Sequence, residues 1–284
     1  MQDFTNYLGH FPDGIFRVNA AYLKSDCLFR DKKYSDALPG FEYVISQPAN
    51  NFTEKSLLNA GIINYNLKQF DKALPAFEKL ESITKSKDNI LASLAGQLRS
   101  CEKLNDCEKA LAVAQKILNS QVSDKDLVNE SHLVAGRCYM QKENFSDAKS
   151  ELSIVAKRTN SEMTAESKYL LATIEFKQTN YKESQKLIFE IQKQNPSYDY
   201  WIAKGFILLG DNYLAQRDTF QAKETYKSIV ENFEQQPSYP DDPKEIARQK
   251  LSTIVIAEEN RNDIDKKQKQ ESVPQDSLEI KTGK

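Results

Sequence analysis

Apolar and polar positions along this chain follow a pattern that returns every 36 to 38 residues. Ala37, in Lys-Tyr-Ser-Asp-Ala-Leu, has counterparts at Ala73 (in Gln-Phe-Asp-Lys-Ala-Leu), Ala110, Ala148, Ser184 and Ala222, at spacings of 36, 37, 38, 36 and 38. Four residues after these anchors stand Phe41, Phe77, Ala114, Leu152, Ile188 and Tyr226; seven after stand Val44, Leu80, Ile117, Val155, Ile191 and Ile229. Positions i, i+4 and i+7 share one face of an α-helix, so each anchor marks the apolar stripe of a helix. Three residues before the anchors come Tyr34, Phe70, Cys107, Phe145 and Tyr181, with Phe220 displaced by one. Each follows a short polar stretch such as Gln178-Thr179-Asn180, which predicts a turn. Twelve residues before the anchors are Ser25, Gly61, Leu98, Gly136, Ala172 and Gly210, mostly small, as a close crossing of two helices requires. Bulk returns four residues on at Phe29, Tyr65, Met140, Phe176 and Leu214. Each unit therefore predicts a first helix with a small contact point, a tight turn and a second helix.

These residues resemble the tetratricopeptide repeat, whose pattern is a small residue, an aromatic, then Ala-x3-Phe and a closing Pro. The resemblance covers about residues 1–235 and departs at Leu98, where a small residue is expected, and in the closing Pro, which is clear only at Pro196, with Pro48 one place early. The units also exceed the family's 34 residues, so helices or loops should be longer. The expected fold is all-α, a right-handed superhelical solenoid of antiparallel helix pairs. Residues 1–14 read as the second helix of a truncated repeat, 15–240 as six repeats, 241–260 as a capping helix and 261–284 as a disordered polar tail. Counting back one period from Ala37 places an anchor just before Met1, so Phe4, Tyr7 and Pro12 fall at the end of a unit lacking its first helix. The edge this would expose predicts a fragment of a longer protein. Asp242 before Pro243 predicts a capped helix start, followed by Ile246, Ala247, Leu251, Ile254 and Ile256.

Composition agrees with helix: 9 Gly and 9 Pro in 284 residues is roughly half the usual share. With 39 Lys+Arg against 41 Asp+Glu the net charge is −2, so no basic field attracts nucleic acid. No apolar run approaches the ~18 residues of a membrane span, which argues against direct membrane insertion. The start, Met1-Gln2-Asp3-Phe4, has no basic-then-apolar signal region.

Candidate chemistry is sparse. Cys27, Cys101, Cys107 and Cys138 form no Cys-x2-Cys pair and read as buried small residues; a Cys101/Cys107 disulfide across the turn is the alternative. His10 and His132 are the only histidines, too few for a His-based general base or metal site. Gly205-Phe-Ile-Leu-Leu-Gly210 copies phosphate-loop spacing, but Asp211 stands where Lys is required, and helix packing explains the glycines better. No enzyme, metal or cofactor is expected.

By resemblance to the family, residues eleven and fifteen before each anchor look into a groove: Tyr22/Asp26, Leu58/Ile62, Ala95/Arg99, Leu133/Arg137, Tyr169/Thr173 and Ile207/Asp211. Chaperone-binding members place a Lys and an Asn four apart there to hold a peptide's terminal carboxylate, and no pair here matches. The groove instead offers Tyr22, Phe29, Leu58, Ile62, Tyr65, Met140, Tyr169, Phe176 and Leu214, with a basic centre at Arg99 and Arg137. Such a surface suits a protein or peptide partner with apolar anchors and an acidic residue, while packing on neighbouring helices is the competing role for the aromatics. Two other functions stay open: an assembly element that pairs with a second copy through exposed repeat edges, and the regulatory arm of a larger protein. The segment from Tyr200 to Phe233 also resembles the last repeat of large tetratricopeptide proteins of Bacteroidota. Phe11-Pro12-Asp13-Gly14 resembles repeats of cell-envelope scaffolds, which implies a periplasmic or envelope location.

Overall fold

A computed structural model describes residues 2–120, 124–158, 161–234 and 239–271. Among these residues the chain is all-α, with fourteen helices and no strand. It divides into two compact units, Met1–Lys157 and Arg158–Lys284. The first holds α1 (Gln2–His10) and four antiparallel pairs: α2 (Arg17–Arg30) with α3 (Tyr34–Ser46), α4 (Thr53–Asn66) with α5 (Phe70–Ile83), α6 (Lys87–Lys103) with α7 (Cys107–Asn119), and α8 (Lys125–Gln141) with α9 (Phe145–Ala156). The second holds α10 (Glu162–Lys177) with α11 (Tyr181–Gln192), α12 (Asp199–Ala215) with α13 (Thr219–Asn232), and α14 (Pro243–Glu271). Each pair packs against the next within its unit. The family's extra residues fall mostly in the first helices, 17 residues long in α6, α8 and α12.

All six anchors are fully buried, and the residues four and seven positions beyond them are buried too. The slot twelve before the anchor is where a first helix meets its own second helix. A Cβ on Gly61 would stand 2.7 Å from the Phe77 ring, and one on Gly136 would stand 2.6 Å from Leu152 Cγ. A second small slot, seventeen before the anchor, holds Ala20, Ser56, Ser93, Ser131, Ser167 and Gly205, all buried. There the first helix crosses the preceding pair: a Cβ on Gly205 would lie 3.2 Å from Ile188.

The turns share one backbone feature. Lys32, Lys68, Asn105, Glu143, Thr179 and Arg217, each five residues before an anchor, have φ between 55° and 65°. In this left-handed conformation the chain reverses and satisfies the last helical carbonyls, as when the Lys33 N–H donates to the Leu28 carbonyl at 2.9 Å. Side chains of Ser86, Asp106, Asp124, Asn144, Ser161 and Asp218 cap the helices that follow them.

Two expectations need correction. Cys107 and Cys138, read as buried small residues, instead form a disulfide with Cα atoms 5.3 Å apart, and the alternative Cys101/Cys107 bridge does not form, Cys101 being free. Cys101 is wholly buried in the core, whereas Cys107 begins α7 and faces the first helix of the next pair. Helix α14 begins as expected, Asp242 Oδ1 accepting the Lys244 N–H at 2.9 Å, but it runs past the boundary at 260 to Glu271. Residues 261–271 are rich in Lys, Gln, Arg and Glu, strong helix formers that extend a helix already docked by Ala247 and Ile254. The remainder of the expected polar tail, 272–284, lies outside the described residues.

Candidate partner-binding face

First helices of neighbouring pairs lie against one another: α4 on α6 and α6 on α8 in the first unit, α10 on α12 and α12 on α14 in the second. No comparable contact joins successive second helices among the described residues, so within each unit the first helices form the inner side.

In the first unit this side carries a cavity of about 340 Å³ between α4 and α6. Leu58, Ile62 and Tyr65 line it from α4, and Ala92, Ala95, Gly96 and Arg99 from α6, with Phe77 beneath. The floor exists because Gly96 lacks a side chain: a Cβ there would stand 2.6 Å from Phe77 Cε1. Burial raises the Tyr65 phenol above its ordinary pKa, so it stays a neutral donor at the cavity wall. Four of the sequence-derived site residues thus meet around one opening.

The basic centre has a different character from the one the sequence suggests. Arg99 on α6 makes a two-pronged pair with Glu130 on α8, at 2.7 Å for each nitrogen, and Arg137 on α8 pairs with Glu102 on α6. The Glu130 bonds hold the Arg99 guanidinium above its already high pKa. The two cationic positions are therefore matched by two carboxylates, and the α6/α8 strip is charge-balanced.

Other members of the sequence-derived set pack within their own units. Tyr22 stacks on Phe52 at 4.4 Å and meets Phe41 edge-on at 6.0 Å. Phe29 lies 5.7 Å from Tyr34, Tyr65 5.2 Å from Phe70, and Phe176 5.9 Å from Tyr181, so the aromatic eight before the anchor closes the turn on the aromatic three before it. Leu214 packs in the α12–α14 core, and Met140 is half-buried on α8. His132 bonds Glu151 at 2.6 Å, and Gly210 lies against Tyr226, both as packing contacts.

Tyr169 belongs to a cluster that sequence reasoning missed. Its ring is 5.6 Å from Trp201, which meets Tyr200 edge-on at 5.0 Å; Tyr239 lies parallel on Tyr200 at 3.6 Å. Glu162 accepts from Trp201 Nε1 at 3.3 Å and from the Tyr239 hydroxyl. Asp241 accepts from the Tyr200 hydroxyl and pairs with Lys204 at 2.6 Å. The one available signal was Trp201, the single tryptophan of the chain.

No curated protein matches the chain in sequence. Solved structures match it in fold. A tetratricopeptide repeat protein from Parabacteroides merdae is 17% identical, with 84% of this chain and 98% of that one covered and a TM-score of 0.54. PilW, a widely conserved type IV pilus biogenesis factor, is 18% identical over 84% of this chain and 98% of its own, with a TM-score of 0.57. YrrB, a TPR protein with an unusual peptide-binding site, is 15% identical over 67% of this chain and 91% of its own, with a TM-score of 0.50. A model of the tetratricopeptide repeat-like domain matches residues 58–256, more than two thirds of the sequence, and with its recurring anchors and paired helices the chain belongs to that family.

Proposed function

We propose that this protein is a non-catalytic scaffold that binds a protein or peptide partner on its first-helix face, and that the α4/α6 cavity takes an apolar side chain of that partner. The observation that carries this reading is the cavity itself: Leu58, Ile62, Tyr65 and Ala95 surround a space of about 340 Å³ at positions the repeat aims inward. An anchor residue would bury apolar area there, while the Arg99–Glu130 pair at its rim would orient polar groups of the bound chain. The peptide site of YrrB lends analogy at the level of the fold. A place in a cell-envelope complex is the finer part of the proposal, supported by the likeness to PilW and by the repeat resemblances above.

The test is affinity capture with crosslinking and mass spectrometry, comparing wild type with Ala95→Trp, which fills the cavity, and with Gln115→Trp on the exposed side of α7. A partner retained by wild type and Gln115→Trp but lost by Ala95→Trp, at equal helical content, supports the cavity. Identical capture by all three overturns it.

Assembly is the second reading, favoured by exposed apolar residues beside α1: Phe11, Phe16 and Ile15, the last 86% exposed. Light scattering on an Ile15→Asp, Phe16→Asp variant tests it. A mass that falls to the monomer value in the variant supports self-association through this edge; a monomeric wild type removes it.

A further inference from the structure

We infer that the segment Tyr239–Asp241 is an internal ligand of the first-helix face of the second unit, and that the site beneath it binds partner segments carrying an aromatic residue two places before a carboxylate. The segment follows α13 in sequence, yet its side chains reach the start of α10 and of α12. Tyr239 lays its ring on Tyr200 at 3.6 Å and 3° from parallel, and its hydroxyl donates to Glu162, 77 residues away. Asp241 is received by the Lys204 ammonium at 2.6 Å and by the Tyr200 hydroxyl.

The receiving side is organised by contacts of its own. Tyr200 is buried, Trp201 stands edge-on to it and donates to Glu162, and the Lys204 ammonium lies 5.8 Å from the centre of the Tyr169 ring. Two subsites result: a ring face with an acceptor beyond it for a tyrosine, and an ammonium with a phenol for a carboxylate. Pro240 between the two anchors fixes its own φ, and the chain bends through residues 239–241, so that both side chains reach the starts of α10 and α12. A short tether holds such a segment at an effective concentration of about millimolar, so a partner presenting the same two groups with additional contacts can replace it. The inference concerns the second unit alone; it and the α4/α6 cavity can each fail without the other.

The test weakens the internal ligand and supplies it in trans. In a Tyr239→Ala, Asp241→Ala variant, both changes lie outside the buried core, and circular dichroism checks that the helices remain. The probe is an acetylated, amidated peptide of residues 238–243, Ser-Tyr-Pro-Asp-Asp-Pro, followed by the fluorescence of Trp201. The variant should saturate at a lower peptide concentration than wild type, ~10-fold lower where the peptide's Kd is about 0.1 mM against a tether of about 1 mM. Replacing the peptide's tyrosine or first aspartate by alanine, or adding Lys204→Ala to the protein, should abolish the response. No response in the variant up to about 10 mM, above the tether's effective concentration, overturns the inference. So does equal binding of a scrambled peptide, or equal saturation by wild type and variant. If the double variant loses helicity, Tyr239→Ala alone is read against the same outcomes.

Discussion

Gly210 on α12 lies so close to Tyr226 on α13 that a Cβ on the glycine would stand 2.6 Å from Cζ of the ring. The same sixteen-residue relationship joins Gly61 to Phe77 and Gly136 to Leu152, a small residue on the first helix opposite a large one on the second. In the α6/α7 pair the sizes are exchanged, Leu98 being large and Ala114 small, and both are buried in one cluster. The apparent departure at Leu98 therefore conserves the volume between the helices.

Gly210→Ala should destabilise the protein by about 1–3 kcal/mol, because the Tyr226 ring is fully buried and its hydroxyl is held by Asp211 at 2.6 Å. Gly9→Ala, with nothing near its Cβ, should instead be neutral or stabilising by up to about 1 kcal/mol through helix propensity. Urea denaturation of the two variants compares them directly. In the exchanged pair, Leu98→Gly and Ala114→Phe should each be destabilising alone and less so together than their sum, read as a double-mutant cycle.

The left-handed turn residues give an opposite prediction. Glu143→Gly, at φ 55°, should raise stability by up to about 1 kcal/mol, since glycine adopts this conformation without the steric cost that a side chain brings. Asn105→Gly, at φ 58°, should gain less, because asparagine already tolerates the conformation. Thermal melts of both against wild type decide the ordering.

The Cys107–Cys138 bridge closes a sequence separation of 31 residues, for which the chain-entropy account gives about 3–4 kcal/mol. Reduction, or Cys107→Ser, should lower the denaturation midpoint by a corresponding amount. Cys101 differs: burial pushes its thiol up to about 11, so in the reduced folded protein at pH 8 it should stay unalkylated while Cys107 reacts. Mass spectrometry after iodoacetamide treatment checks the assignment.

Two carboxylates contribute to the acid limb of stability. Burial opposes ionisation at Asp241, but bonds from Lys204 and Tyr200 hold its pKa below the ordinary range; at Glu81, bonds from Gln97 and Lys116 likewise outweigh burial. Unfolded, such groups titrate near about 4. Each therefore contributes fully above that pH and loses its contribution as pH falls through the depressed folded value. The melting-temperature gap between wild type and Asp241→Asn should be constant from pH 7 to 5 and shrink below about 4. A gap that widens on acidification would contradict the direction of the shift.

The sequence by itself determined the repeat, the position of the turn within each repeat and the buried stripe. These depend on periodicity and on contacts between adjacent helices, which any residue series of the right size and spacing specifies. It also carries a second small slot, at Ser56, Ser93, Ser131 and Ser167, whose role only the packing reveals. Tertiary structure alone decided which polar ends meet. Arg99 finds Glu130 at a separation of 31 residues, Cys107 finds Cys138 rather than Cys101, and Tyr239 finds Glu162 across 77. Long side chains choose partners within a few ångströms in space, and the repeat period fixes only which helices are neighbours. The charge pairing and the cavity on the first unit's inner side, and the aromatic cluster of the second unit, were therefore set by packing.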